Sequence, residues 1–183
     1  MERVSLLVVC TGNASRSVMA GLMLGHLAAR RGLGLSVTTA GTHAVDGLPL
    51  GPRTLAALRT VPGLDDVAGG GLASAGAVHR SRQLADVDLR HADLVVVMEA
   101  GHLRYVRRRH PEAAPRAGAL RWLVRHLAPG PGPLAARVAA LDLDHAEPDP
   151  ADDVVDPAGH EDAAYAACAA ELWVLCEQLV ALL

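Results

Sequence analysis

The sequence has little aromatic character, since it contains no phenylalanine, two tyrosines and two tryptophans. We therefore expect a core built from Ala, Leu and Val, with few aromatic walls for an aromatic ligand. Cysteine is also rare: the three cysteines are widely spaced and odd in number, which argues against a disulfide framework. Free thiols indicate a reducing compartment, and we expect a cytoplasmic protein.

Charge and hydropathy argue against several other classes of protein. The net charge of −3 gives no bulk attraction to nucleic acid. No uncharged apolar run reaches about 18 residues, so neither a transmembrane helix nor a membrane partner is expected. The first residues lack the pattern of a secretory leader, and none is expected. His and Cys do not cluster at metal-ligand spacing, so no metal or other cofactor is expected, and the oligomeric state is left open.

Apolar segments of strand length alternate with segments of helical periodicity, which predicts an α/β fold. Residues 1–183 are expected to form one domain, a three-layer sandwich with helices on both faces of a small parallel sheet of about four strands. Glycine and proline predict long loops at 63–77 and 128–153, although 134–141 fits a short helix. The predicted strands are 3–9, 35–40 and 93–98, and the predicted helices are 17–31, 52–59, 100–109, 117–127 and 161–182.

The segment Cys-Thr-Gly-Asn-Ala-Ser-Arg-Ser, residues 10–17, lies between the first predicted strand and the first predicted helix. Ligands of open parallel sheets bind beyond the carboxyl ends of the strands. A loop at that place points backbone N–H groups at one spot, and the dipole of the following helix favours an anion there. The sequence therefore predicts an oxyanion-binding loop whose substrate-binding residues are Thr11, Gly12, Asn13, Ala14, Ser15 and Ser17.

Cys10 and Arg16 give this loop a nucleophile and a cation. The loop N–H groups, the helix dipole and the Ser17 hydroxyl favour a thiolate, which is both a nucleophile and a leaving group. The Arg16 guanidinium matches two equatorial oxygens of a phosphoryl group. Gly12 suits a tight turn, and Asn13 tolerates a left-handed backbone.

A reaction through a phosphorylated cysteine also needs a general acid for the leaving group. The candidate is Asp156, because Pro157 holds it in an extended backbone that can aim the carboxylate. The same carboxylate would then deprotonate the water that releases phosphate. This chemistry requires no metal.

In these motifs and their order the chain resembles the low molecular weight protein tyrosine phosphatase family. The family's strand, Cys-x5-Arg-Ser loop and helix look like residues 3–31, and its small-residue turn after the second strand looks like 39–42. Its His-x-x-Arg-Gln segment looks like 79–83, and its strand ending in Met-Asp or Met-Glu looks like 93–99. Its late Asp-Pro before the final helix looks like 156–157.

The resemblance implies a role for each matching residue. Cys10 corresponds to the nucleophile, Arg16 to the phosphate binder and Asp156 to the acid and base. A supporting hydrogen-bond network is implied for Asn13, Ser17, Thr39 and His79.

The chain also departs from the family's usual pattern. Val18 stands where proline is usual, and Ser15 replaces a second loop cysteine, so no protection by a loop disulfide is expected. Ala158 and Gly159 follow the Asp-Pro, where aromatic residues commonly face a substrate ring. Thr11 follows the cysteine, as in the related bacterial protein-arginine phosphatases, whereas phosphotyrosine members commonly have a bulky aliphatic residue there.

The expected function is metal-independent hydrolysis of phosphomonoesters, with phosphotyrosine in proteins as the leading substrate. A phosphoarginine protein or a small phosphorylated metabolite is the alternative substrate, the latter because the long loops could border a different pocket. Arsenate reduction ranks lower, because residues 11–167 contain no cysteine for a disulfide relay. A non-catalytic phosphate binder also ranks lower, because all the key side chains are present.

Overall fold

The structure, a computed structural model, describes residues 4–64 and 71–183. Each strand is followed by an α-helix, and short 3₁₀ segments occur at Pro111–Arg116 and Pro150–Asp152. The strands are β1 (Val4–Cys10), β2 (Leu35–Gly41), β3 (Leu94–Val97) and β4 (Ala117–Ala119). The helices are α1 (Arg16–Arg30), α2 (Pro52–Arg59), α3 (Gly71–Val78), α4 (Asp86–Arg90), α5 (Ala100–Arg109), α6 (Leu120–His126), α7 (Leu134–Ala139) and α8 (Asp162–Leu182).

The strands form one parallel sheet in the order β2-β1-β3-β4. Cys10, the last residue of β1, pairs with Gly41 of β2, and Val9 pairs with Val97 of β3. The predicted α/β class and the small parallel sheet are therefore confirmed. The register also places the carboxyl ends of three neighbouring strands around the 10–17 loop.

Helices cover both faces of the sheet, which confirms the three-layer arrangement. Alternate residues of β1 point to opposite faces, as the strand period requires. Leu6 and Val8 pack with α1, α2, α6, α7 and α8 on one face. Leu7 and Val9 pack with α4 and α5 on the other.

The predicted helix at 117–127 was wrong in its first three residues. Ala117, Gly118 and Ala119 form β4 and pair with β3, and the helix begins at Leu120. Alanine and glycine have weak strand propensity, so pairing with β3 rather than local preference decides this segment.

The two predicted loops contain more regular structure than expected. Residues 65–70 of the first loop lie outside the described residues. Most of the rest of that loop forms α3, so the prediction of a loop was wrong for residues 71–77. Alanine favours helix there, against the cost of the two glycines. In the second loop, α7 confirms the short helix expected over 134–141. The helix α4 and both 3₁₀ segments were not predicted.

In the described part of the chain, α8 is the helix that is long and apolar enough, by length and composition alone, to cross a membrane. Its apolar stripe packs against α1, α2 and α6, so its composition is explained by its place in the core. Burial raises the pKa of the Cys168 thiol to about 12 and also raises that of Cys176. Both thiols are core groups. The buried residues of α8 are Cys168, Ala169, Leu172, Leu175, Cys176, Leu179 and Val180.

Candidate active site

Cys10 lies at the carboxyl end of the central strand β1, where the chain turns into the loop. Its side chain is 2% exposed, and its Sγ is 3.0 Å from Oγ of Ser17 in the first turn of α1. The Asn13 amide nitrogen donates to the same Ser17 oxygen at 3.0 Å. Because Ser17 accepts from Asn13, its own hydroxyl proton is available for the sulfur. The hydrogen bonds thus run from Asn13 through Ser17 to the Cys10 sulfur, where the Ser17 hydroxyl can donate to a thiolate.

Asn13 holds the middle of the loop in place. Its φ of 51° is the left-handed conformation that the sequence predicts for it. Its side-chain oxygen accepts the backbone N–H of Arg82 at 3.1 Å, and its carbonyl oxygen lies 3.0 Å from Nε2 of His79. A carbonyl only accepts, so His79 is the donor. Burial lowers the pKa of His79, against the effect of its bond to Asn13, and the nearby Arg80 charge lowers it further.

Arg16 is 1% exposed, and four acceptors surround its two terminal nitrogens. Nη1 donates to Oε2 of Glu99 at 2.6 Å and to the Val154 carbonyl at 3.0 Å. Nη2 donates to Oδ2 of Asp156 at 2.6 Å and to Oγ1 of Thr11 at 3.3 Å. All four Nη hydrogens are thus used, whereas the buried Nε–H has no partner within the described residues. Nε and Nη2 form the edge of a guanidinium that grips two oxygens of one phosphate.

Asp156 reaches the loop from the segment before α8. Besides its ion pair with Arg16, it accepts the backbone N–H of Ala158 at 3.1 Å through Oδ1. This second bond fixes the carboxylate just past Pro157, as the sequence suggests. The Asp156 side chain is 38% exposed, so it lies at the mouth of the site while Arg16 and Cys10 lie at its base.

The end of β2 supports the loop from the side, and sequence reasoning missed it. The N–H of Thr42 donates to the Cys10 carbonyl, and that of His43 donates to the Thr11 carbonyl, each at 2.9 Å. A Cβ placed on Gly41 would lie 2.5 Å from the Thr11 carbonyl oxygen and 2.9 Å from the Asn13 nitrogen. Glycine is therefore required at position 41. The register of two neighbouring parallel strands was the signal that could have indicated it.

The structure does not require glycine at position 12. Gly12 does not have a left-handed φ, and a Cβ built there would meet only Cβ of Ala14, at 4.0 Å. The loop turns through the left-handed Asn13 instead. The prediction that Gly12 permits the tight turn was therefore wrong.

Thr39 does not join the supporting network among the described residues. Its methyl group lies against Gly21 of α1, where an added Cβ would be 2.6 Å away. Thr39 faces the helix layer because it lies two residues before the end of β2, short of the loop. Ala14 and Ser15 contribute backbone groups. The Thr54 hydroxyl donates to the Ala14 carbonyl at 3.0 Å, and the Ser15 carbonyl accepts the N–H of Met19 in α1 at 2.8 Å.

His102, in the first turn of α5, is a further residue that the sequence did not reveal. Its Nε2 lies 2.9 Å from Oγ1 of Thr11 and 3.6 Å from Oε1 of Glu99. Burial lowers the pKa of His102 to about 3, with a further contribution from the Arg16 charge. The imidazole is neutral near pH 7, so its contact with Glu99 is not an ion pair. The available signal was its position three residues after Glu99, which directly precedes a predicted helix.

Comparisons with known proteins agree with this geometry. The model of the family described as low molecular weight phosphotyrosine protein phosphatase matches residues 5–129. The chain is 34% identical over 108 residues to the probable low molecular weight protein-tyrosine-phosphatase EpsP of Ralstonia solanacearum. That match covers 58% of this chain and spans 63% of the relative's length.

Solved structures are similar over nearly the whole chain. The low molecular weight protein tyrosine phosphatase from T. tengcongensis has a TM-score of 0.71 at 26% identity, covering 97% of each chain. The YwlE arginine phosphatase from Geobacillus stearothermophilus has a TM-score of 0.69 at 25% identity, covering 97% of this chain and 90% of the other. Members of the matching family are cysteine-dependent phosphatases. The chain belongs to the low molecular weight phosphotyrosine protein phosphatase family.

Proposed function

We propose that this protein is a metal-independent phosphatase that hydrolyses phosphomonoesters through a phosphocysteine on Cys10. The observation that carries the proposal is the buried guanidinium of Arg16, which adjoins the nucleophile loop and is held by the Asp156 carboxylate at 2.6 Å. One cation thus brings together the loop that binds phosphate and the group that serves as acid. The Ser17 hydroxyl, 3.0 Å from the sulfur, supports a thiolate at the base of the same site.

Substrate binding exchanges one anion for another at Arg16. A phosphate dianion takes the unpartnered Nε–H and one Nη2–H, and so displaces Asp156 from Nη2. Glu99 and the Val154 carbonyl keep Nη1 in place during this exchange. The displaced Asp156 remains at the mouth of the site, next to the oxygen of the leaving group.

The reaction then has two balanced steps. The Cys10 thiolate attacks phosphorus and the P–O bond of the ester breaks. Asp156, which takes up a proton from solvent once it has left Arg16, gives that proton to the departing oxygen. In the second step Asp156 takes a proton from water, the water oxygen attacks phosphorus, and the P–S bond breaks. Arg16 stabilises the equatorial oxygens in both steps, and Ser17 stabilises the departing thiolate in the second.

Phosphotyrosine in proteins is the substrate that we propose. Val155, next to Asp156, is 69% exposed and offers an apolar contact at the mouth. The exposed ring of His43, whose backbone N–H bonds the loop, packs edge-on against Tyr105 at 5.4 Å between ring centroids. These groups supply walls for a phenyl ring that Ala158 does not supply. We also propose that the enzyme works in the cytoplasm, because the mechanism needs a reduced Cys10.

Phosphoarginine in proteins is the second candidate. It is supported by Thr11, whose hydroxyl at the mouth is polar where an aliphatic side chain would suit a phenyl ring better. It is also supported by the similarity to the structure described as an arginine phosphatase.

The test is a panel of kcat/KM values for peptides of one sequence that carry phosphotyrosine or phosphoarginine, with a small alkyl phosphate beside them. We expect turnover of the phosphotyrosine peptide without added metal, and its loss in Cys10→Ala. Cys176→Ala is the matched control, because it removes a buried thiol of α8 whose raised pKa comes from burial alone and not from the charges of the site, and it should retain turnover. Full turnover by Cys10→Ala would refute the proposed mechanism.

A further inference from the structure

We propose that His102 is a positioning residue that fixes the Thr11 hydroxyl as a hydrogen-bond donor towards the substrate, so that the site prefers oxygen esters of phosphate over phosphoguanidines. This inference rests on the proposed function and names the substrate class of the same site. The His102 ring is buried, and its hydrogen bond with Thr11 connects it to the mouth of the site.

One lone pair of the Thr11 hydroxyl is occupied by Arg16. The guanidinium has only donors, so in the contact of 3.3 Å between Nη2 and Oγ1 the threonine oxygen must accept. The direction of the second bond, from Oγ1 to Nε2 of His102 at 2.9 Å, depends on which ring nitrogen carries the proton. The tautomer of His102 therefore decides what Thr11 offers the substrate.

The surroundings of the ring select the tautomer with the proton on Nε2. That proton points at the Thr11 oxygen, and Oε1 of Glu99 lies 3.6 Å from Nε2, which attracts a donor and repels a lone pair. Nδ1 is buried and has no hydrogen-bond partner in the part of the chain that the structure describes. A buried N–H without an acceptor is rarer and more costly than a buried lone pair without a donor.

With the proton on Nε2, both lone pairs of the Thr11 oxygen are occupied, and only its O–H remains. A substrate atom at this place must then be an acceptor. The bridging oxygen of an ester meets that requirement, whereas the bridging N–H of a phosphorylated guanidine would face another donor. Asp156 alone would be left to accept from the guanidinium, so the oxygen ester is favoured.

The first measurement is the protonation of the His102 ring nitrogens by ¹⁵N NMR of the wild-type protein at neutral pH. We expect Nε2 to be protonated and Nδ1 to be unprotonated. A ring protonated on Nδ1 would overturn the inference, because Thr11 would then donate to His102 and keep a lone pair for a guanidinium. This readout does not depend on activity.

The second measurement is the ratio of kcat/KM for phosphotyrosine and phosphoarginine in peptides of one sequence. His102→Leu frees a lone pair on Thr11 and should reduce the ratio about tenfold, the effect of one hydrogen bond. His102→Gln, whose amide N–H can donate to Thr11, should restore most of it. In a Thr11→Val background, His102→Leu should leave the ratio unchanged, because the hydroxyl through which it acts is gone.

The outcomes separate this inference from the proposed function. If the wild type hydrolyses neither peptide, the proposed function fails, and the inference fails with it. If the wild type hydrolyses the phosphotyrosine peptide but His102→Leu leaves the ratio unaltered, the inference alone fails. A wild-type preference for phosphoarginine would also overturn it while leaving the phosphocysteine mechanism in place.

Discussion

Replacing the buried His102 with leucine should make the protein less sensitive to acid. The folded chain holds this imidazole neutral, since burial and then the Arg16 charge lower its pKa from 6.5 to about 3. Asp156 opposes the shift, the nearby His43 adds to it, and Glu99 lies 3.6 Å from Nε2. In the unfolded chain the same ring is protonated below its ordinary pKa of 6.5. The unfolded state therefore binds one more proton, and stability is lost as the pH falls from 6.5 towards about 3.

The size of the effect follows from the two pKa values. Each pH unit within that window removes about 1.4 kcal/mol from the free energy of unfolding, so the loss is about 2.7 kcal/mol between about pH 7.5 and about pH 4.5. His102→Leu lacks this loss, whereas other titrating groups, including His79, are common to both proteins.

Urea unfolding followed by circular dichroism provides the assay, at several pH values across that window. We expect the difference in free energy of unfolding between wild type and His102→Leu to change by about 2.7 kcal/mol in favour of the variant at the acid end. Parallel pH profiles for the two proteins would refute the assignment of a buried, neutral imidazole at position 102.

Four further substitutions test the loop. Gly41→Ala should lower the free energy of unfolding by about 2 kcal/mol or more in urea unfolding, because its Cβ would lie 2.5 Å from the Thr11 carbonyl oxygen. Gly12→Ala is the control and should leave the free energy of unfolding nearly unchanged. Ser17→Ala should lower kcat about 10-fold or more in steady-state assays, because the departing thiolate loses its donor at 3.0 Å, and unaltered kcat would contradict this role. Arg16→Lys should lower kcat/KM by about 100-fold or more, because an ammonium cannot bind two phosphate oxygens side by side, and near-normal kcat/KM would contradict bidentate binding.

The parts of the site that sequence reasoning found are those in which the chemistry is local. A buried strand, a loop and a helix follow one another within residues 4–30, so the placement of Cys10 and Arg16 did not depend on the rest of the fold. Asp156 lies 140 residues from Arg16 and was found through its Asp-Pro context and the family resemblance, not through periodicity.

The parts that it missed depend on contacts between distant elements. His102 lies 91 residues from its partner Thr11, and Gly41 supports the loop only because β2 pairs in register with β1. The strand β4 consists of Ala117–Ala119, whose small side chains carry no local strand signal. Thr39 was assigned through resemblance to a turn, but its place before the end of β2 turns its methyl group to α1.

The central claim is that Cys10 carries the phosphoryl group during turnover. The most direct measurement is rapid acid quench of the enzyme with a phosphotyrosine peptide, followed by mass spectrometry of proteolytic fragments. We predict a phosphoryl group on the fragment that contains Cys10 and none on the fragments with Cys168 or Cys176, and no phosphorylated fragment from Cys10→Ala. Turnover of the peptide with no phosphoryl group on Cys10 at any quench time, or undiminished turnover by Cys10→Ala, would contradict the account.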